Sequence, residues 1–185
     1  LRAGDRPVAR AHGLRMRRDD LELPARATEH RVAFDPDARP DLTEPNREAV
    51  KGVGRESFDS LAMATRWEDP RPEAPHRRRY WQRLLLPVVP DRPLSRIENV
   101  LAAADCGAGG TYARLGLRSW TFMNADLVVA LSRPPASDWV GLECDGLLGP
   151  TGTGQSVSLI HDADGPLGQA SQSILLEQRP SGDGR

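Results

Sequence analysis

The sequence has 185 residues, enough for one domain with additional segments or for two small domains, and its formal net charge is only −1. A charge this close to zero gives no general attraction to nucleic acid or to an anionic membrane. Its two cysteines form neither a disulfide framework nor a zinc-binding spacing, which indicates a reducing, cytoplasmic setting.

The N-terminal part predicts one strand followed by a long irregular connection. Residues 6–18 alternate in the manner of a strand, and a single strand needs a partner sheet. Residues 19–54 are rich in Pro, Asp, Glu and Arg, and their four prolines interrupt helices and strands alike. We therefore predict a linker over residues 19–54.

Two strands and one helix are predicted next. Residues 57–67 alternate as a strand that is apolar on both faces, and residues 78–87 form a second strand. Ser95 and Glu98 have the spacing of a capping box, which starts a helix. Glycines beginning at Gly107 end that helix.

The rest of the chain predicts four consecutive antiparallel strands. Their approximate centres are residues 123–131, 140–144, 157–159 and 167–177. The Gly-rich segment 149–154 lacks the lysine and the following helix of a phosphate loop, so we interpret it as a hairpin connection. One helix wrapped by a curved antiparallel sheet is an α+β arrangement, the hot-dog fold. We predict this domain over residues 55–178, followed by a disordered tail over residues 179–185.

Three segments resemble a known family. They are AAADCGAG at 102–109, WTFMNADLVVALSRPP at 120–135 and GPLGQASQSILLE at 165–177. Together they resemble the C-terminal hot-dog unit of the acyl-CoA thioesterase II-like proteins, especially the actinobacterial branch. Members of this family usually contain two hot-dog units in tandem. Residues 1–18 are similar to the last strand of the first unit, so we expect them to be its remnant, with most of that unit missing.

The resemblance also implies a site. In the family, an Asp at the end of the helix, a Thr or Asn on the next strand and a Gln on the last strand hold a water molecule. The matching positions are Asp105, Asn124 and Gln172. A carboxylate can act as a general base, and amide side chains can orient the water. The implied activity is hydrolysis of acyl-CoA to a free acid and coenzyme A, with no metal or organic cofactor.

Other interpretations remain open. The chain could be a truncated, non-catalytic module that binds acyl-CoA or another protein, or a hydratase acting on enoyl-CoA, although no Asp/His pair of the hydratase kind is found. Because hot-dog units pair along their sheets, we expect a homodimer through sheet edges. Asp126 is predicted to pair with an arginine such as Arg133, and His161 is predicted to be exposed.

Overall fold

The N-terminal unit is small in its described part. The computed structural model describes residues 2–3, 5–7, 9–13, 58–68, 78–108 and 120–178. The chain divides into two compact units, Leu1–Val32 and Ala33–Arg185. In the first unit, β1 (Arg2–Ala3) pairs antiparallel with β2 (Arg6–Pro7).

The long N-terminal strand predicted over residues 6–18 is wrong in its central part. Residues 9–13 form no strand, and the described pairing of β2 with β1 covers only Arg6 and Pro7. Residues 14–18 lie outside the described residues, as do the predicted linker over 19–54 and the predicted tail over 179–185.

The second unit contains two helices, a short 3₁₀ turn and seven strands within its described residues. In chain order they are α1 (Phe58–Ala62), β3 (Met63–Trp67), β4 (Arg78–Leu84), α2 (Arg96–Asp105), the 3₁₀ turn (Cys106–Ala108), β5 (Trp120–Asn124), β6 (Val128–Leu131), β7 (Val140–Leu148), β8 (Thr153–Asp162) and β9 (Gly165–Gln178). Neither described helix is long and apolar enough to cross a membrane.

The seven strands form one antiparallel sheet in the order β3-β4-β7-β8-β9-β5, and β6 also pairs with β9. β9 is 14 residues long, which leaves room for both β5 and β6 along one of its edges while β8 pairs with the other. Residues 149–152 connect β7 to β8, and Gly152 there has a φ of 83°, a conformation that favours glycine. The interpretation of the Gly-rich segment as a hairpin connection is confirmed.

Helix α2 begins as the sequence predicts and packs on one face of the sheet. The Ser95 side chain accepts a hydrogen bond from the Glu98 main chain, and the Glu98 side chain accepts one from the Ser95 main chain. The buried residues of the helix then join the side chains of four strands in the main hydrophobic core. This core contains Tyr80, Val100, Ala103, Ala104, Val140, Leu142, Cys144, Ile160, Leu167 and Ala170. One helix on an antiparallel sheet is the α+β arrangement that was predicted.

Two predicted strands differ from the observed ones. Residues 58–62 form α1, so the strand predicted over 57–67 is correct only from Met63 onward. The strand predicted over 123–131 is interrupted at residues 125–127. There the Asp126 carboxylate accepts hydrogen bonds from the main-chain N–H of Ser173 at 2.6 Å and from its hydroxyl at 3.1 Å. A side chain thus replaces a main-chain partner of β9, and the strand splits into β5 and β6.

The partner predicted for Asp126 is therefore wrong. Arg133 instead donates two hydrogen bonds to Asp162, from Nη1 at 2.7 Å and Nη2 at 2.6 Å. The predicted exposure of His161 is also wrong, because β8 continues to Asp162 and His161 still lies opposite Gly141 of β7. His161 is 3% exposed. Burial, together with the charge of Arg79, holds the pKa of its imidazole below the usual value.

Candidate active site

The end of α2 places a carboxylate beside the end of an edge strand. Asp105 is the last residue of α2, and Asn124 is the last residue of β5. Nδ2 of Asn124 donates a hydrogen bond to Oδ1 of Asp105 at 2.8 Å. Both side chains are exposed, so the pair is open to a ligand and to water.

Gln172 reaches the same residue from the sheet beneath the helix. Its Nε2 donates a hydrogen bond to the main-chain carbonyl of Asp105 at 2.9 Å. Its side chain is buried. The structure thus brings the three residues singled out in the sequence together at Asp105, with Asn124 on the carboxylate and Gln172 on the main chain.

Two further side chains bind the end of the helix, and sequence reasoning missed both. The Tyr80 hydroxyl on β4 donates to the main-chain carbonyl of Cys106 at 2.7 Å. The Ser156 hydroxyl on β8 donates to the carbonyl of Gly107 at 2.6 Å. Tyr80 precedes Trp81 in β4 and Ser156 precedes Val157 in β8, so neither carries a signal in the sequence that separates it from an ordinary strand residue.

The absence of a side chain at Gly107 allows this close contact. A β-carbon on Gly107 would lie 2.6 Å from Oγ of Ser158 and 3.2 Å from Oε1 of Gln172. A separation of 2.6 Å is too short for a carbon and an oxygen in van der Waals contact, so any larger residue would require the Ser158 side chain or the 3₁₀ turn to shift. The glycine therefore allows the 3₁₀ turn to pack closely against β8 and β9.

The exposed face of α2 next to the carboxylate is apolar. Ile97 and Leu101 precede Asp105 by eight and four residues, which places all three on one side of the helix. Both apolar side chains are exposed. Within the described residues, no group of three or more His, Cys, Asp or Glu side chains could hold a metal ion. The arrangement therefore offers an oriented carboxylate beside an apolar surface.

Comparison with known families identifies the class of protein. The profile described as "Acyl-CoA thioesterase C-terminal domain" matches residues 33–176 of the 185. The chain belongs to this family, and its resemblance to acyl-CoA thioesterase II-like proteins is confirmed. No curated protein matches the sequence.

Solved structures confirm the hot-dog fold. A hot-dog protein of unknown function from Alicyclobacillus acidocaldarius has a TM-score of 0.57 at 16% identity, covering 82% of this chain and 57% of that one. A mutant thioesterase from Pseudomonas aeruginosa has a TM-score of 0.53 at 14% identity, covering 75% of this chain and 98% of that one.

The chain is shorter than relatives of the acyl-CoA thioesterase II type. Acyl-CoA thioesterase II TesB2 from Mycobacterium marinum has a TM-score of 0.50 at 18% identity, covering 85% of this chain and 61% of that one. The TesB protein of Mycobacterium avium subspecies paratuberculosis gives the same TM-score at 16% identity, covering 82% of this chain and 57% of that one. The chain thus spans about three fifths of the length of these two relatives.

Proposed function

We propose that this protein hydrolyses acyl-CoA thioesters, with Asp105 as the general base. The observation that carries the proposal is the 2.8 Å hydrogen bond between Asn124 and Asp105 at the exposed end of α2. It holds one carboxylate oxygen, Oδ1, and in the proposal Oδ2 accepts a hydrogen bond from the attacking water. The family to which the chain belongs supplies the substrate class, an acyl group joined to coenzyme A.

In the proposed reaction, Asp105 takes a proton from water as the water oxygen attacks the thioester carbonyl carbon. The carbon–sulfur bond then breaks, and the coenzyme A thiolate receives the proton from Asp105. The products are a carboxylic acid and free coenzyme A, and no covalent intermediate with the protein forms. The exposed Ile97 and Leu101 provide an apolar surface for the acyl group beside the carboxylate.

Asn124 and Gln172 have different parts in this proposal. Asn124 donates to the carboxylate through Nδ2, and its own Oδ1 accepts a hydrogen bond from the attacking water. Gln172 binds the main chain of Asp105 and is buried, so its contacts support a role in holding the base. The expectation that Gln172 also contacts the water stays a prediction.

The test is release of thiol from acyl-CoAs of short, medium and long chain by the wild-type chain and by Asp105→Ala. We expect the variant to lose about a hundredfold or more in rate, since general-base catalysis typically contributes about 10²–10⁴-fold. Asp138→Ala is the matched control, because Asp138 is exposed and contacts only Arg96 among the described residues.

Each remaining outcome has a definite meaning. An unchanged rate in a folded Asp105→Ala variant would remove Asp105 as the base and leave the activity intact. A folded wild-type chain that binds acyl-CoA and releases no thiol would replace the proposal with the non-catalytic binding module. Circular dichroism of each variant establishes that the protein compared is folded.

A further inference from the structure

We infer that Tyr80 and Ser156 are positioning residues, which together with Gln172 fix the end of α2 and the 3₁₀ turn that follows it, and thereby the Asp105 carboxylate against Asn124. The inference rests on the proposed function for its catalytic meaning, and on the hydrogen bonds of the helix end for its geometry. Neither Tyr80 nor Ser156 touches the carboxylate, so both act through the main chain.

Three successive main-chain carbonyls carry the inference. The carbonyls of Asp105, Cys106 and Gly107 accept hydrogen bonds from Gln172, Tyr80 and Ser156 at 2.9, 2.7 and 2.6 Å. The first is the last carbonyl of α2, and the other two belong to the 3₁₀ turn. Carbonyls where a helix ends have no donor within the helix and are commonly satisfied by a glycine motif or by water. Here each one is bound by a side chain from a different strand, in the order β9, β4 and β8.

The three donors are rigidly placed. Gln172, Tyr80 and Ser156 are 2%, 2% and 1% exposed. Ser156 lies directly opposite Gln172 in the β8–β9 ladder, while Tyr80 lies on β4, separated from β8 by β7. The helix end is therefore held by strands on both sides of β7, namely β4 on one side and β8 with β9 on the other. The turn that follows Asp105 cannot rotate without breaking at least one buried hydrogen bond.

The bond between Asp105 and Asn124 is too exposed to provide this rigidity itself. Water competes for both side chains, whereas a buried hydrogen bond has no such competitor and leaves an unsatisfied group when it breaks. Asn124 lies on β5 and Asp105 on α2, so their alignment depends on how α2 sits on the sheet. A misplacement of about 1 Å in a reacting group can cost about a hundredfold in rate.

The first test is structural and needs no activity. The side-chain amide of Asn124 is followed by ¹⁵N NMR in the full chain and in Tyr80→Phe and Ser156→Ala. We expect its proton resonance to shift or broaden in both variants, because its bond to Asp105 changes. Thr65→Val is the matched control, since Thr65 is buried on β3 and its hydroxyl accepts a hydrogen bond from Gln82 of β4. An Asn124 amide that is unchanged in both variants overturns the inference.

The second test is kinetic and separates positioning from general stability. We expect Tyr80→Phe and Ser156→Ala to lower kcat about tenfold or more with KM within about twofold, because the acyl-CoA contacts are unchanged. We also expect Tyr80→Phe to have no further effect on the residual rate of Asp105→Ala. An equal loss in both backgrounds, or a rise in KM alone, overturns the inference.

The two tests also distinguish failure of the inference from failure of the proposed function. If the wild-type chain or Asp105→Ala refutes hydrolysis by Asp105, the Asn124 amide still decides whether Tyr80 and Ser156 set the geometry. If Tyr80→Phe does not fold, both measurements are made on Ser156→Ala, because that variant leaves Tyr80 and the packing of its ring unchanged.

Discussion

The Asp162 carboxylate, away from the candidate site, accepts four hydrogen bonds. It is fully buried, and it accepts hydrogen bonds from Arg133 and from the main-chain N–H groups of Ala136 and Asp164. Burial alone would raise the pKa of this carboxyl, but these hydrogen bonds outweigh it and hold the pKa below the usual value. Asp162 thereby ties the turn after β8 to the segment between β6 and β7.

Loss of the arginine should destabilise the domain in a pH-dependent manner. We expect Arg133→Met to lower the free energy of unfolding at neutral pH by about 3 kcal/mol, because a buried charge loses its partner. Since the folded-state pKa of Asp162 is lowered, its contribution is fully present above the unfolded pKa and is lost as the pH falls through the folded pKa. The deficit of the variant should therefore shrink in acid.

Urea unfolding at neutral pH and at about pH 3 measures this difference. Arg92→Met is the control, because Arg92 is exposed and its ion pair with Glu98 lies at the surface, where such pairs contribute little to stability. An Arg133→Met deficit that is the same at both pH values would show that lost packing, not charge, is responsible.

At the scale of elements, the contact of the 3₁₀ turn after α2 with β8 depends on a missing side chain. Gly107→Ala places a β-carbon 2.6 Å from Oγ of Ser158 but 3.7 Å from its Cβ. We expect Gly107→Ala to destabilise the fold by about 1–3 kcal/mol, in the range of overpacked cores. The second substitution Ser158→Ala removes the clashing oxygen, so the double variant should recover part of that loss.

Thermal or urea unfolding of the wild type, the two single variants and the double variant forms a complete cycle. A double variant no more stable than the two single changes predict when added would mean that the clash lies elsewhere, with Oε1 of Gln172 as the next neighbour at 3.2 Å.

The elements that could be predicted from the sequence are those specified by neighbouring residues. The start of α2 is an example, since Ser95 and Glu98 bind each other's main chain across three residues. The buried face of β8 could not be predicted in this way. Val157 and Leu159 mark the strand, yet the fully buried side chains beside them are Ser156 and Ser158. Hydroxyls can be buried there because distant residues, Gly107 and Cys144, bind them.

The residues of the candidate site likewise fall into those that the sequence indicates and those that it does not. Asp105, Asn124 and Gln172 could be singled out by resemblance to a family, and the fold brings them together. Tyr80 could not be found, because its hydroxyl gains significance only when β4 and the end of α2 meet, 26 residues apart in the chain. The wrong partner predicted for Asp126 has the same origin, since Ser173 is 47 residues away.

For the whole molecule, the described sheet ends at β3 on one side and at β5 with β6 on the other. Open strand edges pair readily with another chain, so the predicted homodimer through sheet edges remains a proposal. Met123 on β5 and Leu147 on β7 are both 63% exposed, but only Met123 lies on an edge strand. If the dimer uses the β5 edge, Met123→Lys should weaken it and Leu147→Lys should not.

Sedimentation equilibrium over a range of concentrations measures the association of the wild-type chain and both variants. A folded wild-type chain that remains monomeric at all concentrations contradicts the proposal. A dimer that survives Met123→Lys unchanged places the contact away from the β5 edge.

The position of β9 has a consequence for how the protein is made. It is the last described strand along the chain, and β5, β6 and β8 all pair with it. During synthesis, Asp105 and Asn124 leave the ribosome well before Gln172. Until Gln172 has been made, the main-chain carbonyl of Asp105 at the end of α2 lacks its hydrogen-bond donor. Before β9 is made, the edges of β5, β6 and β8 that pair with it are unpaired, and unpaired strand edges promote aggregation. The sheet closes and the site is assembled in the same late step.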